Sequence, residues 1–471
     1  MTDPRPDEPD TPAAAPEPPI ELRDDEYALD HARVERIVAG IEARDRQAIL
    51  AEIADLHVAD IADLLEQIDE EARRGFIELV WGDLDPELLV EVEEGVRDDI
   101  LAWLPPDQLA EAARELETDD VVYLVEDLEA DARQAVLDAL APRDRAAVTQ
   151  SLRYPEYTAG RLMQSEFVKA PPFWTVGQTI DFLRAHEDLP EQFYDVVIVD
   201  PTLKPVGTVG LGKILANRRP VTLDALMEED PRTLHVEDEQ EKVAYAFNQY
   251  HLVSAPVVND EGRVVGVITI DDAMAALQEE AEEDIRRLAG VGDEEISDSV
   301  REITWQRFPW LAVNLLTAII ASLVISIFED VLTQVVALAI LMPIVASMGG
   351  NAGTQTLTVA VRGLATRDLT STNAARVISR EGLAGLMNGI AFAIIMGGLA
   401  WAWFGNPTLG AVIAVAMVIN MLIAGLAGIL IPMGLEKAGA DPALASGTFV
   451  TTVTDVVGFF AFLGLAGAVL L

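Results

Sequence analysis

Five long apolar stretches in the last third of the chain constrain its fold more than any other feature. Each is close to or longer than the roughly 20 residues that a helix needs to cross about 30 Å of hydrocarbon. The stretches cover 308–328, 332–361, 377–404, 408–433 and 445–471. Because a soluble core does not accommodate five successive helices of this length, the sequence predicts a domain of five membrane helices at 305–471, embedded in a lipid bilayer.

The charges between these stretches predict the orientation of the chain. Basic residues flank the second and fourth connections: Arg362, Arg367, Arg376, Arg380 and Lys437. The first connection contains only Glu329 and Asp330 as charged residues, and the third contains none. Because basic residues favour the cytoplasmic side, we expect a multi-pass protein of a bacterial inner (plasma) membrane, with a cytoplasmic N-terminus and an extracytoplasmic C-terminus. The first twenty residues lack the apolar region of a secretory signal, which agrees with this orientation.

The first 300 residues carry almost all of the net charge. The chain has 33 basic and 79 acidic residues, which gives a net charge of −46, and only seven basic and eight acidic residues lie in 301–471. Nucleic acids and anionic lipid surfaces are therefore unfavourable partners for the first 300 residues, and cations are favourable ones. An acidic, salt-adapted proteome would give the same bulk charge, so this feature alone does not select between the two explanations.

The residue types on which many enzymes and metal sites depend are scarce. The absence of cysteine excludes disulfides, thiolate metal ligands and cysteine nucleophiles. The five histidines form no recognisable metal or nucleophile motif. We therefore expect a protein that is not an enzyme.

Residues 1–157 divide into a tail and a helical domain. Positions 1–29 are rich in proline and acidic residues and are predicted to be disordered. From 30 to 157, apolar residues recur at the spacing of helices. The segment that starts at Asp60 resembles the one that starts at Asp120. A repeated helical unit of this kind predicts an all-α superhelical domain in which stacked units bury one another.

Two consecutive units with a strand and helix pattern follow, at 158–222 and 223–277. Their β-branched runs are bounded by turn residues, as in a β-hairpin, and lie at 196–199, 207–211, 256–258 and 266–270. The units resemble a tandem pair of CBS domains, an α/β fold that commonly senses ligands. The resemblance implies that Thr269 and Asp272, in a Thr-x-x-Asp motif, hold the ribose of an adenine nucleotide, which leaves ATP open as a ligand. The first unit lacks this motif.

An acidic residue lies inside the fifth apolar stretch. Asp455 is preceded by Thr451, Thr452 and Thr454, and no basic residue lies within the core of any of the five stretches. A carboxylate near the bilayer centre costs about 2.5 to 3.5 kcal/mol on insertion scales, so it is expected to face a polar cavity. Threonine oxygens suit a hard cation that keeps much of its water. These residues favour a cation path over a structural aspartate paired with a neighbouring hydroxyl.

The second apolar stretch contains residues that disfavour a regular helix. Pro343 is followed by three glycines within 349–353, and we expect them to loosen the helix where it lines a cavity or packs closely on another helix. The glycines alone fit either environment. Asn351, between them, adds a polar side chain at membrane depth.

Two segments of the membrane half carry a specific resemblance. They are 343–355, which contains Gly-Gly-Asn-x-Gly, and 441–455. With the order of helical domain, CBS pair, acidic connecting helix at 278–304 and five membrane helices, they resemble the MgtE family of magnesium transporters. The resemblance implies passive Mg²⁺ influx through a homodimer whose pore lies on the two-fold axis. The ion-path residues that it implies are Asp455, Thr451, Thr452, Asn351, Gly349 and Ala440.

The resemblance also implies that Mg²⁺ closes the pore by binding to the cytosolic half, with the connecting helix as the blocking element. The carboxylates that match regulatory ligands are Asp272, Glu239, Glu241, Glu280, Glu283 and Asp284. An acidic residue of the helical domain, Asp119 or Asp120, is expected to complete a site. His251 and Ala275 stand where other members have carboxylates, so the number of regulatory ions stays open.

The residues themselves support this gate. On a helix, Glu280, Glu283 and Asp284 share one face, and their charges repel one another unless a cation bridges them. A solvated acidic face is the alternative for this segment. For the whole chain, two alternatives remain. One is a transporter of Co²⁺ or Mn²⁺, since an ion path of oxygens alone favours Mg²⁺ without excluding these ions. The other is a nucleotide-sensing membrane receptor that transports nothing.

Overall fold

The computed structural model describes residues 29–471, apart from 127, 129, 187–188, 191, 293, 295–299 and 446. The tail predicted at 1–29 lies outside the described residues except for its last position. The chain forms two compact units, one ending at Ala112 and the other spanning Ala113–Leu471.

The first unit is helical, and aspartates begin several of its helices. Asp30, Asp45 and Asp69 each accept a hydrogen bond from the first turn of the helix that follows, which satisfies an otherwise free N–H group. Apolar side chains such as Ile37 and Phe76 are fully buried between the helices. A 3-10 turn lies at Trp81–Asp83, and the helices are α1 (His31–Glu42), α2 (Arg46–Ile53), α3 (Val58–Gln67), α4 (Glu70–Val80), α5 (Leu88–Glu91), α6 (Glu94–Trp103) and α7 (Pro106–Ala112).

The second unit begins with the remaining helices of the helical domain: α8 (Thr118–Glu126), α9 (Ala130–Ala139) and α10 (Pro142–Ser151). Both copies of the predicted repeat are helix pairs, α3 with α4 and α8 with α9. In each copy an arginine of the second helix donates to a carbonyl of the first. Arg73 Nε donates to Leu65 O at 2.9 Å, and Arg133 Nη2 donates to Glu126 O at 2.7 Å. These bonds satisfy carbonyls near a helix end, and the all-α prediction is confirmed.

Two small sheets follow, and the predicted pair of α/β units is confirmed. Their elements are α11 (Ala159–Leu162), β1 (Lys169–Ala170), α12 (Val176–Ala185), β2 (Asp195–Val199), β3 (Pro205–Gly210), α13 (Leu211–Ala216), a 3-10 turn (Leu223–Ala225), β4 (Glu228–Glu229), β5 (Leu234–His235), α14 (Gln240–Tyr250), β6 (Ser254–Val258) and β7 (Val264–Thr269). The strand orders are β1-β2-β3-β4 and β5-β6-β7. In each sheet a parallel strand joins an antiparallel hairpin, and β-branched residues such as Ile198 and Ile268 are fully buried.

The two α/β units, predicted at 158–222 and 223–277, exchange their opening segments. Strand β4 pairs with β3 of the first sheet, although it lies in the segment 223–277. Conversely, Ala159 N donates to Asp238 O at 2.7 Å, and Ala159 and Met163 pack in the core of the second sheet. The sequence boundary at 222/223 therefore does not separate the two sheets, because each unit contributes its first residues to the other.

The helix after the second sheet differs from the connecting helix predicted at 278–304. Helix α15 (Ile270–Ala289) begins earlier, directly on β7. It ends at Gly290, whose φ of 70° is a left-handed conformation that glycine adopts without strain. The next helix begins at Val300, and 295–299 lie outside the described residues. The prediction of one helix across 278–304 is therefore wrong, because Gly290 ends the helix.

Five helices at the end of the chain are long and apolar enough to cross a membrane, as predicted. They are α16 (Val300–Ser326), α18 (Ala337–Ala365), α19 (Ala374–Phe404), α20 (Pro407–Lys437) and α21 (Gly447–Leu470). The short helix α17 (Glu329–Gln334) links the first two, and a 3-10 turn at Pro442–Ala445 precedes the last. Helices α18, α20 and α21 pack on one another around a core that includes Leu341, Met417 and Phe462.

Helix α18 is continuous through Pro343 and the glycines, contrary to the expectation of a loosened helix. The glycines bring neighbouring helices close. A Cβ on Gly350 would lie 3.1 Å from Cγ2 of Thr451 on α21, and a Cβ on Gly428 of α20 would lie 3.0 Å from the backbone N of Leu357. Small residues at membrane helix contacts allow such close packing, so neighbouring helices support α18 where its sequence suggested a break.

Candidate ion-binding site

The carboxylate of Asp455 lies in the third turn of α21 and is half-buried. Within the described part of the chain, no hydrogen bond or ion pair reaches this carboxylate. The hydroxyl of Thr454 donates instead to Thr451 O at 2.9 Å. The alternative of a structural aspartate capped by a neighbouring hydroxyl therefore does not fit. An acidic side chain with free acceptor capacity inside a membrane helix is suited to a cation.

Two threonines lie on the Asp455 side of α21. Thr451 and Thr452 precede Asp455 by four and three residues, so the three side chains share a face of the helix. Both hydroxyls donate to Thr448 O, at 3.1 Å and 2.6 Å. A hydroxyl that donates keeps its oxygen lone pairs, so both oxygens remain available to a cation or its water.

The other expected ion-path residues are in different surroundings. Asn351 on α18 is exposed, and its Nδ2 donates to Ser347 O at 2.8 Å. Gly349 is buried, and a Cβ there would overlap the side-chain amide of Asn420 on α20. Gly349 thus packs closely against α20. Ala440 lies after the end of α20, where its N–H donates to Leu435 O at 3.0 Å.

A first acidic group, which we call the α8 group, lies before the membrane helices and comprises Glu117, Asp119, Asp120, Glu166 and Asp272. Burial, together with nearby carboxylates led by that of Glu166, raises the pKa of Glu117 to about 7. Burial also raises the pKa of Asp272 to about 6. The pKa of Asp119 is well above its ordinary value because of burial and the charge of Asp272. The predicted regulatory residues Asp120 and Asp272 are therefore brought together.

A second acidic group, which we call the α15 group, comprises Glu239, Glu241, Glu280, Glu283 and Asp284. Burial, together with the charges of Glu241, Glu283 and Asp284, raises the pKa of Glu280 to about 7. Burial also raises the pKa values of Glu241 and Asp284, with Asp284 acting on Glu241 and Asp441 acting on Asp284. The predicted regulatory residues of α14 and α15 therefore lie within electrostatic reach of one another.

The end of α15 contacts the membrane helices. Arg287 forms ion pairs with Glu283 on its own helix and with Asp441 in the loop before α21. Leu288 packs against a cluster that includes Leu357 of α18 and Val450 of α21. The α15 group is therefore joined to the helices that carry Asn351 and Asp455.

Neither acidic group is a ready-made metal site. Across the described residues, no three His, Asp or Glu side chains are close enough together to hold one metal ion. Burial and mutual repulsion both disfavour the charged form of these carboxylates. A cation that bound among them would offset both effects.

The predicted nucleotide motif has a structural role. Thr269 Oγ1 donates to Asp272 Oδ2 at 2.7 Å, and both residues form a capping box at the start of α15. A helix start therefore accounts for Thr-x-x-Asp without a nucleotide.

Three residues of interest were not predicted from the sequence. Arg287 and Asp441 are distant in the sequence, and no local sequence pattern indicates that they form an ion pair. Asn420 had a signal, because it is the only polar residue between Leu409 and Leu435. A lone polar side chain in an apolar membrane helix indicates a functional or packing role, as the carboxylate of Asp455 does.

Comparison with known proteins finds family models that match the helical domain, the second α/β unit and the membrane helices. Family models match at 342–465 (MgtE, divalent cation transporter), 56–157 (MgtE intracellular N domain) and 223–279 (CBS domain).

Curated relatives are similar over most of their length. The magnesium transporter MgtE of Thermus thermophilus is 34% identical over 365 residues, 76% of this chain and 78% of the relative. That of Enterococcus faecalis is 34% identical over 319 residues, 68% and 70% of the two chains. That of Bacillus subtilis is 28% identical over 417 residues, 88% and 92%.

Among solved structures, the cytosolic domain of the Mg²⁺ channel MgtE in complex with ATP is 27% identical. The match covers 51% of this chain and 99% of the solved chain, with a TM-score of 0.47.

Proposed function

Because the chain belongs to the MgtE family of magnesium transporters, we propose that it carries Mg²⁺ passively into the cytosol along a path at Asp455. For a divalent ion the membrane potential supplies about 4.6 kcal/mol per 100 mV. We also propose a homodimer in which both subunits contribute Asp455 to one path. The basic residues near the ends of α18 and α20 support a cytosolic N-terminal half and an extracytoplasmic C-terminus.

The observation that carries this proposal is the uncapped carboxylate of Asp455 inside a membrane helix. Desolvating a negative charge there is costly unless water or a cation accompanies it. The adjacent oxygens of Thr451 and Thr452, with the amide of Asn351 on α18, would contact the water shell of the ion. Mg²⁺ gives up its water reluctantly, so neutral oxygens around one carboxylate suit it.

Mg²⁺ uptake into vesicles containing the full chain tests the path. Asp455→Asn should abolish uptake while the protein stays folded, because the substitution keeps the size of the side chain and removes its charge. Asp330→Asn, which removes a carboxylate from the short helix α17, is the matched control and should retain uptake. Normal uptake by Asp455→Asn would contradict the proposed path.

We propose that cytosolic Mg²⁺ closes this path through the two acidic groups. Without Mg²⁺, the carboxylates repel one another and hold the cytosolic half open. Several bound ions would offset that repulsion and compact the cytosolic half. The attachment of α15 to Asp441 through Arg287, and of Leu288 to α18 and α21, offers a route from compaction to the path.

We propose that the oxygen-only chemistry of the path favours Mg²⁺ without excluding Co²⁺ and Mn²⁺. Methionine, histidine or cysteine ligands would favour a transition metal, and the proposed path residues offer carboxylate, hydroxyl and amide oxygens instead. Competition by Co²⁺ and Mn²⁺ in the same uptake assay tests this, and half-inhibition by either ion at the concentration of Mg²⁺ itself would contradict it.

A further inference from the structure

Asn420 occupies an unusual position for a polar side chain. It lies in the middle of α20, and its side chain is fully buried. Every other residue from Leu409 to Leu435 is apolar or glycine or proline. A buried amide in such a helix is unfavourable unless its polar atoms find partners.

The amide of Asn420 is only partly satisfied. Its Nδ2 donates to the backbone carbonyl of Val345 on α18 at 2.7 Å. Within the described residues, nothing donates to its Oδ1, which is buried. A leucine of similar size would fill the same space without leaving a polar atom unpaired, so stability alone does not explain the choice of asparagine.

Two glycines from different helices enclose the amide. A Cβ on Gly458 of α21 would lie 3.0 Å from Cγ, Nδ2 and Oδ1 of Asn420, and a Cβ on Gly349 of α18 would overlap the amide. The side chain of Asn420 therefore lies in a slot whose walls are α18 and α21, and it is hydrogen-bonded to one wall.

The slot is adjacent to the proposed ion path on both helices. Gly349 is two residues before Asn351 on α18, and Gly458 is three residues after Asp455 on α21. Any change in the spacing of α18 and α21 at the slot displaces these two side chains relative to each other. Sites that bind ions or substrates tolerate displacements of only about 0.5 Å.

We infer that Asn420 is a positioning residue for the ion path, through its bond to Val345 O and its contacts with both glycines. It fixes α18 against α21 and thereby sets the distance between Asn351 and Asp455. The inference rests on the proposed path at Asp455. It assigns no contact between Asn420 and the ion.

The test separates the hydrogen bond from the packing. Gly458→Ala alone should lower both thermal stability and uptake, because its new methyl group meets the amide. Asn420→Ala/Gly458→Ala removes the amide and fills part of the space with the new methyl group. Asn420→Leu fills the slot without a hydrogen bond. Asn314→Ala, at an exposed asparagine of α16, is the matched control.

Each full-length variant is reconstituted in vesicles, and its initial Mg²⁺ uptake is measured against Mg²⁺ concentration. We expect the double variant and Asn420→Leu to melt near the wild-type temperature. We expect their half-saturating Mg²⁺ concentration to rise about tenfold, the lower end of what residues that orient metal ligands contribute. The control should match the wild type in both measurements.

Recovery of wild-type half-saturation together with stability would overturn the inference, because packing would then account for Asn420. Failure of both Asn420 variants to fold would also overturn it, since the residue would then serve assembly. Asp455→Asn, run in parallel, separates this inference from the proposed function. If Asp455→Asn is inactive and the Asn420 variants are normal, only the inference fails, whereas an active Asp455→Asn removes the path itself.

Discussion

Replacing Glu280 with glutamine should stabilise the part of the chain before the membrane helices in the absence of Mg²⁺, although it removes a predicted metal ligand. Glu280 lies in the α15 group, where Glu241, Glu283 and Asp284 face it with like charge. Glutamine keeps the shape of the side chain and its capacity to accept a hydrogen bond. The change therefore removes the cost of burying a charge and the repulsion from these neighbours, and the amide oxygen can still accept the hydrogen bond from Gln240.

The expected size follows from the pKa. Burial raises the pKa of Glu280 from 4.5 to about 7. At about 1.36 kcal/mol per pH unit, this would destabilise the folded state by about 3 kcal/mol for a fully buried group. Solvent screening of a partly exposed side chain reduces the figure to about 1 to 2 kcal/mol. For a domain of this size, that corresponds to a rise of roughly 2 to 8 °C in melting temperature.

The size of this stabilisation depends on pH. The folded state holds the Glu280 proton more tightly than the unfolded chain does, so the destabilisation is absent below pH 4.5, grows as the pH rises and is complete above pH 7. The gain from Glu280→Gln should therefore be largest near pH 8 and should shrink towards pH 5. The stabilisation by added Mg²⁺ should be smaller in the variant, because one ligand and part of the repulsion are gone.

Thermal melting of the full chain at pH 8 and pH 5, with and without Mg²⁺, measures all of these effects. Glu282→Gln is the matched control, since it removes the same charge from the same helix, from a side chain paired with Arg286. A melting temperature for Glu280→Gln at pH 8 without Mg²⁺ that is equal to or below that of Glu282→Gln would refute the reasoning.

Three further perturbations test other contacts. Arg287→Gln should release α15 from Asp441 and raise uptake several-fold at high cytosolic Mg²⁺; unchanged closure in the vesicle assay would exclude this ion pair from the gate. Thr269→Val should remove a helix cap and lower stability by about 1 kcal/mol. Any melting shift that ATP causes in the wild type should be unchanged in this variant, whereas a smaller shift would support a nucleotide site. Gly353→Val should crowd Val450 on α21 and cost about 1 to 3 kcal/mol, and melting equal to the wild type would contradict the packing of α18.

The parts of the fold that rest on local patterns were predictable. Hydropathy over twenty residues is enough to define a membrane helix, and the sequence repeats identified the helix pairs and the two sheets. The exchange of β4 and α11 between the two CBS units was missed, because contacts between segments that are distant in the sequence leave no local signal. The break at Gly290 had a signal, a glycine at a helix end, which the acidic run before it obscured.

The site was predictable where a residue contradicts its surroundings. Asp455 is a charge in an apolar helix, and its uncapped carboxylate agrees with the reasoning from sequence. Gly349 was assigned to the path because of its motif, and its contact with Asn420 could not be read from either segment. The pairing of Arg287 with Asp441 likewise depends on the tertiary structure, which brings an arginine to an acidic loop 154 residues away.

Helix α15 runs unbroken from the second CBS sheet to the membrane helices. Its 20 residues make a rod of about 30 Å at 1.5 Å per residue. Ile270 is fixed to the end of β7, and Leu288 touches α18 and α21. A rod converts angle into distance, so a tilt of about 5° at the sheet would move the far end by about 2.5 Å. A small rotation of the second CBS sheet is therefore enough to move the contact of α15 with the membrane helices, without refolding any element between them.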